Sequence, residues 1–188
     1  DLTAGDVDKA LPTRWTYSEA GDIAEFTFIE PELIHFPSFD GKGILSEPGK
    51  IPAFIYKSNK KETDKAKKCP VIINIHGGPE GQSKAGFAPI YQYFVAELGC
   101  AVIVPNVRGS TGYGKTYVAL DNGFNRENAV KDIGSLLEWI AKQPDLDASR
   151  VAVWGGSYGG YMTLACMTHY NDKLKAGCDV VGISNFLT

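Results

Sequence analysis

Two stretches carry residues whose types and spacing could do chemistry: WGGSYGGYM at 154–162 and HGGPEG at 76–81. In the first, Gly155, Ser157 and Gly159 fill a GxSxG pattern directly after the apolar run VAVWG. A sharp strand-to-helix reversal there would lift the Ser157 hydroxyl clear of the backbone. Glycines on both sides would relieve the crowding that such a bend creates. The same bend aims the amide N–H of Tyr158 and a helix N-terminus at developing negative charge. The chemistry implied is acyl transfer through a serine nucleophile. Glycine-rich turns also close over phosphates, but this one lacks both the GxGxxG order and the lysine of a P-loop.

HGGPEG follows a second apolar run, PVIINI. Backbone N–H groups of a glycine turn can supply a second oxyanion donor opposite that of Tyr158, with Gly78 the first choice and Gly77 the next. A serine hydroxyl is a weak nucleophile until something takes its proton, and none of the three histidines suits that role. His76 precedes the nucleophile and reads as a brace for its turn, while His35 lies in an N-terminal strand at the domain edge. His169, twelve residues along a helix from Ser157, would stand about 18 Å away, whereas proton transfer needs contact at about 3 Å. No histidine has a partner at metal-ligand spacing, so neither a metal nor another cofactor is expected.

The elements that must position these residues read as α/β. LIHFPSF (33–39) and IPAFIYK (51–57) suit an antiparallel pair joined through DGKG and EPGK. PVIINIH (70–76), CAVIVPNV (100–107), VAVWG (151–155) and AGCDVVGIS (176–184) are apolar runs of buried-strand type. Between them lie helical stretches at 90–99 and 161–170, and a clearer one in NRENAVKDIGSLLEWIAKQP. There Val130, Ile133, Leu137 and Ile140 form one stripe with Leu136 beside it, and Pro144 marks the end. Charge-free strands alternating with amphipathic helices describe a mostly parallel sheet covered on both faces.

The 188 residues suffice for one hydrophobic core. A net charge of −3, with no basic patch among aromatics, gives nucleic acid no footing. The cluster KSNKKETDKAKK (57–68) reads as a solvated hairpin or loop. No stretch approaches eighteen apolar residues, so no membrane span is expected. Cysteines 69, 100, 166 and 178 have no paired spacing and sit in or beside apolar runs. They read as reduced, buried thiols, which favours a cytoplasmic setting over a secreted or periplasmic one. Residues 1–30, starting DLTAGDVDKALP without a methionine or leader, read as a linker or the end of a preceding domain.

The ordered set PVIINIHGGPEG, PNVRGSTGYG and VAVWGGSYGGYMTL resembles the catalytic domain of the prolyl oligopeptidase family of serine peptidases. The nearer likeness is to its dipeptidyl-peptidase and acylaminoacyl-peptidase branch, and it covers about 25–188. FIEPELIHFPSFDGKGI with IPAFIYK resembles the lead-in from that family's β-propeller. The resemblance implies an α/β-hydrolase fold over 31–188, incomplete at its C-terminus, after a linker or propeller tail over 1–30. It implies Ser157 as the acylated nucleophile, with Tyr158 N–H and the Gly77–Gly78 turn at the oxyanion. Arg108 would hold the loop framing the site or touch substrate, and the Tyr158 ring could flank the substrate. The acid and base would lie beyond Thr188, so these 188 residues alone are expected to be inactive.

The expected partners are therefore a peptide substrate, the remainder of the catalytic domain, a propeller and, in an oligomer, further copies of the chain. Two other readings stay open: a carboxylesterase or lipase of the same fold, and a non-catalytic hydrolase-fold module used for binding.

Overall fold

The computed structural model describes residues 13–17, 19, 28–57 and 68–186. Most of the expected linker over 1–30, and all but the two end residues of the expected loop at 57–68, lie outside them. Six strands form one sheet in the order β1-β2-β4-β3-β5-β6. They are β1 Glu32–Pro37, β2 Lys50–Tyr56, β3 Cys69–Ile75, β4 Ala101–Pro105, β5 Leu146–Gly156 and β6 Ala176–Val180. β1–β2 and β2–β4 pair antiparallel, whereas β4–β3, β3–β5 and β5–β6 pair parallel.

Burial on both faces explains why the middle strands are apolar throughout. Successive side chains of a strand point to opposite sides. Ile51, Ala53, Val71, Ile73, Ala101 and Ile103 therefore enter the larger core under helices α3 (Glu127–Ala141) and α4 (Tyr158–His169). Tyr56, Val102 and Val104 point the other way and pack with Val95 of α1 (Pro89–Ala96). The stripe of α3 is buried as its spacing predicts, with Val130, Ile133, Leu136, Leu137 and Ile140 all inside. A four-residue helix α2 (Lys115–Val118) and two 3-10 turns, 119–121 and 123–125, carry the chain from β4 to α3.

Three elements differ from expectation. β5 is eleven residues long, because buried Leu146 pairs with Cys69 across an irregularity in register and carries the polar Asp-Ala-Ser-Arg stretch into the strand. α4 begins at Tyr158, not 161, since Gly159 and Gly160 lie inside its first turn, where weak helix propensity hid it. All five residues of β6 are exposed, and Cys178 with them, so that thiol is not the buried one expected. Cys166 is buried, and burial pushes its thiol up to about 12. No helix among the described residues is long and apolar enough to cross a membrane.

Candidate active site

The bend between β5 and α4 follows from its glycines. A Cβ on Gly155 would run into Gly159 O, and one on Gly159 into Ile75 O of the neighbouring strand. Only glycine allows the first turn of α4 to sit this close to β3. Ser157, caught between them, has φ 56° and ψ −118° and is exposed. Non-glycine residues in such conformations typically carry about 1–3 kcal/mol of strain, held by surrounding structure. Here the holding groups are main-chain: Ser157 N–H donates to Val180 O at 3.0 Å, and Tyr161 N–H donates to Ser157 O at 3.1 Å. The amide of Tyr158 opens α4, where the first N–H groups have no carbonyl one turn back.

The HGGP turn leaves the adjacent parallel strand and lies beside this bend. A Cβ built on Gly77 would stand 3.3 Å from Gly156 O and 3.6 Å from Ser157 Cβ, so Gly77 abuts the serine directly. Gly78 is exposed and has φ 140°, and a Cβ there would press on the amides of Glu80 and Gly81 at 2.6 Å. The two stretches of the motif reading thus meet.

His76 is occupied elsewhere. Its Nδ1 lies 2.8 Å from Gly77 O and its Nε2 lies 2.9 Å from Ser110 Oγ. Burial lowers its pKa, which favours the neutral ring. With Nδ1–H donating to the carbonyl, Nε2 faces the Ser110 hydroxyl and competes for its single proton with Val107 O, 2.7 Å from Ser110 Oγ. Val107 O still receives Ser110 N–H at 3.1 Å. The ring therefore ties the turn to the loop after β4. His169 is exposed at the far end of α4, and His35 pairs with Glu47 at 3.4 Å on the edge strand. Among the described residues, no group of three or more His, Cys, Asp or Glu is arranged to hold a metal ion.

Arg108 is 1 % exposed, and its guanidinium is committed. Nε and Nη2 donate to Asp132 at 2.9 and 2.8 Å, and Nη1 and Nη2 donate to Asp40 at 3.0 and 2.9 Å. Phe39 stacks at 4.5 Å from its carbon. Burial pushes the Asp132 carboxyl up to about 6 despite the arginine, whereas hydrogen bonds from the same guanidinium hold Asp40 at about 2. This geometry makes Arg108 a brace joining the β1–β2 loop, the loop after β4 and α3. Of the two roles the sequence offered it, holding the loop fits this geometry, since its donors are spent on two carboxylates.

The Tyr158 ring departs from expectation. It is 2 % exposed and turned toward Asp121 and Arg126, so it cannot flank a substrate. Its side-chain direction depends on packing that the motif does not encode. The acids Asp40, Asp121 and Asp132 were not singled out by sequence. Only Asp132 carried a signal, lying four residues before core Leu136 on the same helix face. A cavity of about 530 Å³ lined by Phe39, Lys131, Trp139, Tyr170 and Lys173 lies over the outward side of α3 and includes no residue of the bend.

Comparison with known proteins agrees with this geometry. The model of the prolyl oligopeptidase family matches residues 86–188. Dipeptidyl aminopeptidase BIII of Pseudoxanthomonas mexicana is 38 % identical over 119 residues, covering 63 % of this chain and 17 % of that protein. Among solved structures, Pyrococcus horikoshii acylaminoacyl peptidase aligns with a TM-score of 0.69 and 30 % identity, over 84 % of this chain and 24 % of its own. A puromycin hydrolase aligns with a TM-score of 0.75 and 26 % identity, over 86 % and 23 %. The chain thus spans less than a quarter of each of these proteins, and it has their α/β-hydrolase architecture.

Proposed function

Since the chain belongs to the prolyl oligopeptidase family, we propose that it is the nucleophile-bearing part of a serine peptidase acting on short peptides. The observation that carries this reading is Ser157, exposed in a strained bend at the head of α4, with Gly77 of the HGGP turn against it. Ser157 Oγ attacks the carbonyl carbon of the scissile bond while a histidine takes its proton. The N–H groups of Tyr158 and Gly78 hold the resulting oxyanion, with Gly77 shaping the turn. Collapse expels the amine, which takes the proton back from the histidine, and water then releases the acyl group by the same steps.

The base of this scheme is none of His35, His76 and His169, given where each is held. The acid and base follow the serine in the chain order usual for this fold. They are therefore assigned to polypeptide outside these 188 residues, which alone would be inactive. A β-propeller preceding a catalytic domain over 31–188 is part of the same reading.

The test uses the full-length protein and a fluorophosphonate probe. Labelling that disappears in Ser157→Ala, with hydrolysis of amino-terminal dipeptide or acyl-amino-acid anilides, is the expected result. Hydrolysis of simple acyl esters without any anilide would make it an esterase. A folded protein that neither labels nor hydrolyses would make it a binding module.

A further inference from the structure

Asp121 is fully buried, and Arg126 Nη1 donates to its Oδ2 at 2.5 Å. Its Oδ1 is also buried and, among the described residues, has no hydrogen-bond partner. A buried carboxylate with an empty oxygen is an expensive choice for a loop, where a neutral side chain would fold at lower cost. Its neighbours suggest a use. The Tyr158 hydroxyl lies 3.4 Å from Oδ2, a long hydrogen bond, and Arg126 sits 5.5 Å over the Tyr158 ring. On the other side the carboxylate packs against Gly109, whose φ is 94° and where a Cβ would run into it. Gly109 is followed by Ser110, which holds His76, which holds Gly77 O.

One side chain therefore touches both routes to the oxyanion donors. One runs through the residue after the nucleophile, and the other runs through the loop that carries the HGGP brace. We propose that Asp121 is a positioning residue, fixing the Tyr158 amide and the HGGP turn relative to each other. This rests on the peptidase reading above. The carboxylate touches no reacting atom. It sets the separation of two donors whose alignment governs the rate, and misplacement on the scale of 1 Å can cost on the order of 10²-fold.

The experiment measures p-nitrophenyl acetate hydrolysis and fluorophosphonate labelling in the full-length protein, with circular dichroism to report folding. Asp121→Asn is expected to lower kcat by about 10- to 100-fold and to slow labelling similarly, with KM within about twofold. Tyr158→Phe is expected to lower kcat by a smaller factor. The double variant should be no slower than Asp121→Asn alone, since both act through one linkage.

A folded Asp121→Asn with kcat within about threefold of wild type, a change confined to KM, or fully multiplicative losses in the double variant would each overturn the proposal. If Asp121→Asn does not fold, Tyr158→Phe and Arg126→Gln decide it, and normal kcat in both would sink it. Wild type that shows no Ser157-dependent activity would remove the peptidase reading and this proposal together. An active wild type with an indifferent Asp121 would remove this proposal alone.

Discussion

Two buried acid–arginine pairs flank the loop between β4 and α3, and they are built to opposite standards. Around Arg108, both carboxylates of the group are satisfied: Asp132 also accepts Arg108 N–H at 3.1 Å, and Asp40 takes two guanidinium bonds. Around Arg126, which is 25 % exposed, one oxygen of Asp121 is engaged and the other has no partner among the described residues. The first pair ties three elements together. The second borders Tyr158, the residue after Ser157. Full satisfaction marks a brace that holds the frame. A half-used carboxylate beside the site marks a group whose cost is tolerated for what it positions.

Removing the cation of the complete pair should have the largest effect on folding. Arg108→Met leaves Asp132 buried without its partner, and a loss of roughly 3–5 kcal/mol is expected in denaturant unfolding. A loss below about 1 kcal/mol would erase the distinction between the two pairs.

Asp40→Asn should cost about 1–2 kcal/mol at neutral pH, less than a buried partner because Asp40 is partly solvated. The sign of its pH dependence is fixed. The folded pKa of about 2 lies below the ordinary 3.8, so this contribution is present above about pH 4 and is lost as pH falls toward 2. Asp132, raised to about 6, runs the other way and loses stability as pH rises from about 4 through 6. The gap between wild type and Asp40→Asn in thermal melts should therefore close as pH falls from about 4 toward 2. A gap that widens would contradict the pairing.

Asp121→Asn should leave stability within about 1 kcal/mol of wild type, in either direction, in the same unfolding assay while slowing turnover, since Arg126 is partly hydrated already. Stability loss as large as that of Arg108→Met would make the two pairs equivalent. The smallest change is expected at Phe39→Leu, about 0.5–1 kcal/mol from the lost stack on Arg108.

The sheet was legible because its middle strands bury both faces: VIINI and AVIVP are apolar at every position or nearly so, and glycine or proline stops each run. The bend at Ser157 was legible because only a glycine-flanked serine after such a strand satisfies its crowding. The braces were not. Asp40 lies 68 residues from Arg108 and Asp132 lies 24 away, and an acid in a loop, as Asp40 is, has the same sequence signature whether solvated or clamped. Tyr158 shows the same limit inside a motif. Its amide position follows from the local bend, whereas its ring direction is set by Asp121 and Arg126, 37 and 32 residues earlier in the chain.

The contact of Gly159 with Ile75 O has a consequence for how the serine is carried. No side chain intervenes there, so the height of the serine above the sheet is a property of main chain meeting main chain. Substitutions among the aliphatic residues beneath can drift and trade volume without moving the hydroxyl. A single added methyl at 159 would have to pry the helix off the strand.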